Sequence, residues 1–212
     1  MRIVDCEQRS EAWFQARAGR PTASEAAKIL TSTGKKSTQW KGYMYRLVAE
    51  RAGHAESFME PTEAMLEGIR REQESIDAYA FMTGHEVTPV GLVICDKTGA
   101  SCSPDGLVKS ADTWIHGTEM KNPNPGTFYD ELDADKVPAK YIPQLHFSLA
   151  VTGLPRWDYV CYIPNEAPII HQVEPNDFTE TMQQAIADFC GELDKTCERL
   201  GVPLIEEIKE AA

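Results

Sequence analysis

An α/β fold, with a central mixed β-sheet flanked by helices, follows from three features of this 212-residue sequence. Segments with helical periodicity fill the chain up to about residue 83, and three segments with strand periodicity follow between 87 and 121. A further helical segment then comes before two more strands, and a last helix closes the chain. Strands that are separated by helices cannot all pair as hairpins, so the sheet must be mixed.

Residues 10–18, SEAWFQARA, read as a short helix with Ser10 as N-cap and Gly19 past its end. Thr22 or Ser24 starts a second helix through Leu30, and 31–37 form a polar, basic loop. A third helix is predicted over 38–52, where Trp40, Tyr43, Met44, Leu47 and Val48 recur at helical spacing. The longest is predicted over 61–83, closed by Gly84. Strands are predicted over 87–95, 100–108 and 114–121, where apolar and β-branched residues alternate with polar ones. The run NPNPG, 122–126, reads as a loop before a short helix over 127–132 and a longer one over 140–151. Strands over 157–163 and 169–174 follow, and Asn176 or Asp177 caps an amphipathic helix to about Leu200. IEEIKEAA reads as a terminal helix with solvated charges. There is no internal repeat or low-complexity linker, so a single domain covering 1–212 is expected.

The stretch SCSPDGLVKSADTWIHGTEMK, 101–121, carries the chemistry. Its two halves read as a hairpin broken at Ser110-Ala111-Asp112. Such a hairpin brings Asp105 beside Glu119 and Lys121, which are two apart in a strand and therefore share a face. Two carboxylates and an ammonium at one point suit Mg²⁺, which prefers oxygen ligands. Together they suit metal-dependent cleavage of a phosphodiester. Glu-x-Lys alone carries little, since Glu207-Ile208-Lys209 repeats it in a solvated segment, and Pro-Asp-Gly is also a turn signature.

Other residues can join this site. Gly68 and Glu72 lie one helical turn apart on one face, and a glycine inside a helix costs ~1 kcal/mol against alanine, which invites a packing or ligand-approach explanation. Glu72 can complete a metal site from there or belong to a solvated acidic face. Gln144, with Tyr141, is polar on an otherwise apolar helix, where Pro143 fits the first turn. His146 beside it reads as a core histidine. Arg17, Arg20, Thr22 and Ser24 cluster in QARAGRPTASE, which fits a phosphate pocket and equally a capped helix beside surface arginines. His116-x-x-Glu119 lacks the cysteine or histidine company of a zinc site.

Composition narrows the classes. No run approaches the ~18 apolar residues of a membrane span, and MRIVDCEQRSEAW lacks the apolar core of a signal peptide. Six cysteines without CxxC spacing point to a reduced, cytoplasmic chain. The net charge of −12 argues at first sight against nucleic acid, yet residues 1–51 carry +5 and residues 165–212 carry −8. An enzyme that encloses DNA needs positive charge only on its enclosing surface.

These pieces together resemble the phage lambda-type exonucleases, or YqaJ-type viral recombinases. The matching blocks are Trp13 to Gly19 with Thr22-Ala23-Ser24-Glu25, Gly68 to Glu72, Cys102-Ser103-Pro104-Asp105-Gly106-Leu107, Glu119-Met120-Lys121 and Tyr141-Ile142-Pro143-Gln144. They occur in family order over most of residues 13–150 and depart from the pattern at Arg20-Pro21, where apolar residues are expected. The resemblance implies a restriction-endonuclease-like PD-(D/E)xK fold. It implies processive 5′→3′ digestion of one strand of duplex DNA to mononucleotides, leaving a 3′ tail. It further implies a ring-shaped homotrimer, a 5′-phosphorylated DNA end as substrate, a phage-type single-strand annealing protein as partner, and the bacterial or phage-infected host cytoplasm as location.

By position, Glu72, Asp105, Glu119 and the Met120 backbone carbonyl would bind two Mg²⁺ about 3.5–4 Å apart, with Mn²⁺ as a substitute. Lys121 would orient and activate the attacking water, supported by Gln144 and Tyr141. Arg17, Ser24 and Ser103 would hold the 5′-phosphate. Two other classes compete. A RecB-like iron–sulfur nuclease requires four converging cysteines. A non-catalytic DNA-end clamp would bind without hydrolysis that Mg²⁺ chelation could abolish.

Overall fold

Strand pairing between distant segments organises the chain. The computed structural model describes residues 1–55 and 63–205. In chain order these form β1 (Arg2–Val4), α1 (Glu11–Arg17), a 3₁₀ helix (Ala23–Lys28), α2 (Trp40–Ala49) with a π-helical extension, and α3 (Glu63–Thr83). Then follow β2 (Val87–Thr88), β3 (Leu92–Ile94), β4 (Ser101–Cys102), β5 (Gly106–Ser110) and β6 (Thr113–Lys121). The remaining elements are α4 (Pro125–Ala134), α5 (Ile142–Thr152), β7 (Trp157–Cys161), β8 (Ile169–Val173) and α6 (Asp177–Leu200).

The main sheet has five strands in the order β2-β5-β6-β7-β8, and a smaller one runs β1-β3-β4. In the main sheet only β6 and β7 are parallel, so the sheet is mixed. The β6-to-β7 connection runs through α4 and α5, the length of chain that a parallel crossover needs. β5 and β6 form the expected hairpin, with Ala111 in the left-handed region (φ 51°) at its turn. Its register shifts once, between Val108 and Lys109, where Ile115 is the extra residue on β6.

The helical faces divide by strand parity. On one face of the sheet Trp157, Tyr159 and Cys161 join Leu145, Phe147, Phe128, Phe189 and Leu193 in the main core. α6 packs on α2 and α5 here. Gly117 is needed on this face, since a Cβ there would lie 2.6 Å from the Trp157 ring. α6 starts at a reciprocal capping box between Asn176 and Thr179, and His146 is buried against it, its Nδ1 2.7 Å from Thr179 Oγ1.

On the opposite face α3 covers β6 and β7, and Tyr79 packs with Val108, Met120 and Val160. A polar network is sealed in beside them. Tyr79 Oη donates to Asp158 Oδ2 at 2.6 Å and lies 2.9 Å from His116 Nε2. Arg156 closes the network as an ion pair, its Nε 2.8 Å from Asp158 Oδ1. His116 and Asp158 are each 1% exposed.

Several boundaries differ from the sequence expectation. The second predicted helix is a 3₁₀ helix, with Glu25 N donating to Thr22 O and Ile29 N to Ala26 O; its small buried residues Ala23 and Ala26 lie where it packs on α5. Tertiary packing overrides propensity there. The strand expected over 87–95 is two strands. Pro89 has no ladder donor, and a Cβ at Gly91 would meet the Cys6 carbonyl oxygen at 2.0 Å. The strand expected over 100–108 is likewise broken, at Ser103-Pro104-Asp105. α4 starts inside the expected loop because Asn124 accepts from Thr127 N and Pro125 suits the first turn. The third helix starts at Trp40, later than expected. The start of the 61–83 helix and the segment IEEIKEAA after Ile205, with its Glu207 and Lys209, lie outside the described residues. Among the described residues, no helix is long and apolar enough to cross a membrane.

Candidate active site

The break between β4 and β5 places Asp105 just ahead of β5, where its backbone N–H donates to Thr118 O at 3.2 Å. Its carboxylate turns across the hairpin and Oδ2 accepts from Met120 N at 2.6 Å. Glu119 and Lys121 lie on either side of Met120, on the face opposite Tyr79. Lys121 Nζ donates to Glu119 Oε1 at 2.5 Å, and Gln144 Nε2 donates to the same oxygen at 2.6 Å. Gln144 comes from the first turn of α5, which Tyr141 precedes and Pro143 tolerates. The Tyr141 ring lies 5.1 Å from Lys121 Nζ, within cation–π range. Thus Asp105, Glu119, Lys121, Gln144 and Tyr141 converge through two strands and one helix.

Glu72 reaches this group from α3. Its Oε2 accepts from Arg9 Nη2 at 2.7 Å, with the two side chains 22% and 39% exposed. Arg9 itself holds φ 66°, a left-handed conformation that costs a non-glycine residue ~1 kcal/mol. Gly68 shows no packing need, since a Cβ there would meet nothing within 4 Å.

Electrostatics tie the carboxylates together. Burial pushes the Asp105 carboxyl well above its usual range, and the Glu119 and Glu72 carboxylates push it further, against the pull of Lys121 and the Met120 amide. Burial would lower the Lys121 ammonium, but Glu119 and Asp105 outweigh it and the pKa rises, so Lys121 is a fixed cation at neutral pH. Three mutually repelling carboxylates of this kind fit a cation. As they stand, however, each is satisfied by a protein donor: Arg9 for Glu72, Met120 N for Asp105, and Lys121 with Gln144 for Glu119. Accordingly, among the described residues no three His, Cys, Asp or Glu side chains are already arranged around a metal position. The donor chemistry fits Mg²⁺; the side chains must change partners to hold it. His116 faces away from Glu119 into the Tyr79 network. Cys102, Cys161, Cys190 and Cys197 are free thiols dispersed in the apolar core.

A pocket adjoins the carboxylates. Arg9, Arg17, Ser24, Ser103 and Gln144 line it together with Trp13. Arg17 Nη2 donates to Thr22 Oγ1 at 3.0 Å and Ser24 Oγ at 2.9 Å, and its guanidinium lies 5.0 Å from the Trp13 ring centroid. Trp13 Nε1 donates to Ser103 Oγ at 2.9 Å. Arg20 stands apart as a buried strut, donating to Ala16 O and Gly99 O, both at 2.9 Å. Pro21 O accepts from Ser101 N, so the Arg20-Pro21 departure docks this segment on β4. Sequence reasoning missed Arg9 and Gln8. Gln8 Nε2 donates to Pro104 O at 2.7 Å and Val90 O at 2.9 Å, fixing the segment to the loop that carries Asp105. Neither residue sits in a recognisable local motif, so no sequence signal marked them.

The family model of the YqaJ-like viral recombinase domain matches residues 12–155. Among solved structures, the alkaline exonuclease LHK-Exo from Laribacter hongkongensis is 29% identical with a TM-score of 0.76, covering 91% of this chain and 96% of that one. LHK-Exo in complex with dAMP gives 28% identity, a TM-score of 0.75, and coverage of 90% and 96%. A phage-related exonuclease from Haemophilus somnus 129PT shares the fold at 13% identity and a TM-score of 0.57, covering 84% and 96%. No curated protein matches the chain. The fold is the restriction-endonuclease-like PD-(D/E)xK fold, a mixed sheet flanked by helices.

Proposed function

Given that the chain belongs to the YqaJ-like viral recombinase domain family and is a nuclease of the lambda-exonuclease type, we propose that it is a Mg²⁺-dependent exonuclease. In this reading residues 1–212 form one nuclease domain that digests one strand of duplex DNA processively from a 5′-phosphorylated end. It works as a homotrimeric ring in the cytoplasm, releases mononucleotides, and leaves a 3′ tail for a phage-type single-strand annealing protein. The observation that carries the reading is the junction of two sites. Asp105, Glu119, Lys121 and Gln144 meet at the end of the hairpin, and Gln144 also lines the pocket of Arg17, Ser24 and Ser103. A terminal phosphate in that pocket would put the next phosphodiester beside the carboxylates. The crystallisation of LHK-Exo with dAMP, a nucleoside 5′-monophosphate, fits the expected product.

Glu72, Asp105, Glu119 and the Met120 carbonyl would hold two Mg²⁺, which when bound would lower the pKa of a water and offset charge on the phosphate oxygens. The chain's own groups do the rest. Lys121, held charged by Glu119, orients the attacking water by donating to it and stabilises negative charge developing on the phosphate. Gln144 and Tyr141 fix the positions of Glu119 and Lys121. Arg17 and the two serine hydroxyls grip the terminal phosphate, a bidentate contact that only an arginine can supply.

Mg²⁺ or Mn²⁺ is expected to support cleavage of end-labelled linear duplex, and Ca²⁺ to support binding alone, because Ca²⁺ takes longer and looser oxygen coordination. Full turnover in Ca²⁺ or in excess EDTA would count against this chemistry. EDTA that stops hydrolysis but spares end binding separates a nuclease from a clamp.

Arg17→Ala is expected to shorten the tract digested per encounter and to erase most of the preference for 5′-phosphate over 5′-hydroxyl ends, while leaving metal binding intact. A single-turnover trap assay on both duplexes reads this. A variant that keeps both tract length and preference would show that the pocket belongs to other residues.

A further inference from the structure

Arg9 has no role in the machinery described so far, yet the fold holds it in place on both sides. Gln8 is tied to Pro104 O and Val90 O, and Ser10 caps α1 by accepting from Trp13 N. Between them Arg9 adopts φ 66°, a conformation that glycine takes freely and arginine does not. This bend sends the guanidinium into the pocket that Arg17, Ser24 and Ser103 line. There a single nitrogen, Nη2, bonds Glu72, while a guanidinium carries five N–H donors. Strain kept at a site is a pointer to use of that site.

We propose that Arg9 is a second phosphate-binding arginine, which on arrival of a 5′-terminal nucleotide exchanges Glu72 for the phosphate and so frees Glu72 for the metal. This rests on the exonuclease reading above. The exchange is favourable on simple grounds. The Arg9–Glu72 pair is partly solvated, and such pairs contribute little. A 5′-phosphate monoester carries nearly two negative charges at neutral pH and offers several oxygens to the guanidinium fork. Glu72, released, regains the one lone-pair site that Arg9 had occupied. Metal and DNA end then help each other: Arg9 competes with the cation for Glu72, and the phosphate removes the competitor. A DNA end thereby primes the site that will cut it.

The discriminating variant is Arg9→Gly, which removes the guanidinium and suits the backbone at φ 66°. In Ca²⁺, without turnover, it is expected to bind 5′-phosphorylated duplex about 10-fold more weakly than the parent protein and 5′-hydroxyl duplex equally well. Arg9→Lys should fall between. Without DNA, a Mg²⁺ titration followed by tryptophan fluorescence should show Arg9→Gly binding the cation more tightly, by up to about 10-fold, because Glu72 has lost its competitor. Thermal melting should be unchanged or raised. If Arg9 merely props Glu72, Arg9→Gly will bind Mg²⁺ more weakly, and its preference for phosphorylated ends will stay that of the parent; either result overturns the proposal. If the parent protein itself does not distinguish the two ends, the end-recognition reading fails and takes this inference with it. A parent that discriminates and a variant that discriminates equally would sink the role of Arg9 alone.

Discussion

Lys121→Ala is expected to lower the rate of phosphodiester cleavage about 10²–10³-fold, the loss seen when one preorganised donor to developing charge is removed. Binding to duplex ends should persist, because the phosphate pocket draws on α1 and the β4–β5 break rather than on β6. The variant does more than remove a charge. Glu119 is 5% exposed and would keep only Gln144 as a donor. Its carboxylate would then repel Asp105 without relief, so the variant should also bind Mg²⁺ at least as tightly as the parent. Rate loss with retained or strengthened metal binding is the signature to look for in single-turnover cleavage beside a Mg²⁺ titration. Near-normal cleavage would remove Lys121 from the chemistry. Lys209→Ala, in the second Glu-x-Lys of the chain, serves as the control and should be close to neutral.

Asp158→Ala is expected to cost about 3–5 kcal/mol of stability, because it strips the counter-charge from a buried set of groups. Asp158 is the common acceptor of Tyr79 and Arg156, and neither can turn to water without opening the α3 face. The same network predicts an acid limb. His116 has its pKa pushed down to about 4 by burial and by Arg156 and His85, against the pull of Asp158. A histidine depressed from its ordinary ~6.5 is neutral in the fold, so its contribution is complete above about pH 6.5 and is lost as pH falls towards 4, ~3 kcal/mol at most. Denaturant melts at pH 7 and pH 5 test both effects. Asp158→Ala with an unchanged midpoint at pH 7 would mean that the network contributes nothing net. Cleavage by the folded fraction should survive, since Asp158 lies on the face of the sheet away from Glu119.

What the sequence revealed and what it hid follow the range of the forces involved. Glu119 and Lys121 were legible as a pair because a strand puts alternate residues on one face, whatever surrounds it. Asn176 was legible because a cap acts within four residues. The start of α4 was not, because Asn124-Pro125-Gly126 carries the same letters whether it turns or caps. The roles of Tyr79, His116 and Asp158 were hidden, since their network joins α3, β6 and β7 and no window of sequence contains it. Arg9 was hidden for the same reason: its partner lies 63 positions away, and an arginine before a serine signals nothing locally. The resemblance located the carboxylates along the chain, but only the packing shows that Glu119 is claimed by Lys121 and Gln144, and Glu72 by Arg9.

The extra residue at Ile115 has a consequence for how the molecule tolerates change in length. β6 must satisfy two neighbours at once: β5, entered through the turn at Ala111-Asp112, and β7, parallel and reached only after α4 and α5. The bulge is the point where these two counts are reconciled. An insertion in the exposed turn alters neither. A single residue lost between Ile115 and Lys121 alters the odd–even order of everything beyond it, turning Glu119 and Lys121 towards Tyr79 and presenting Thr118 and Met120 to the pocket. Catalytic identity in this hairpin is therefore a matter of parity as much as of residue type. A homologous strand with every residue intact but one deleted would keep its composition and lose its chemistry.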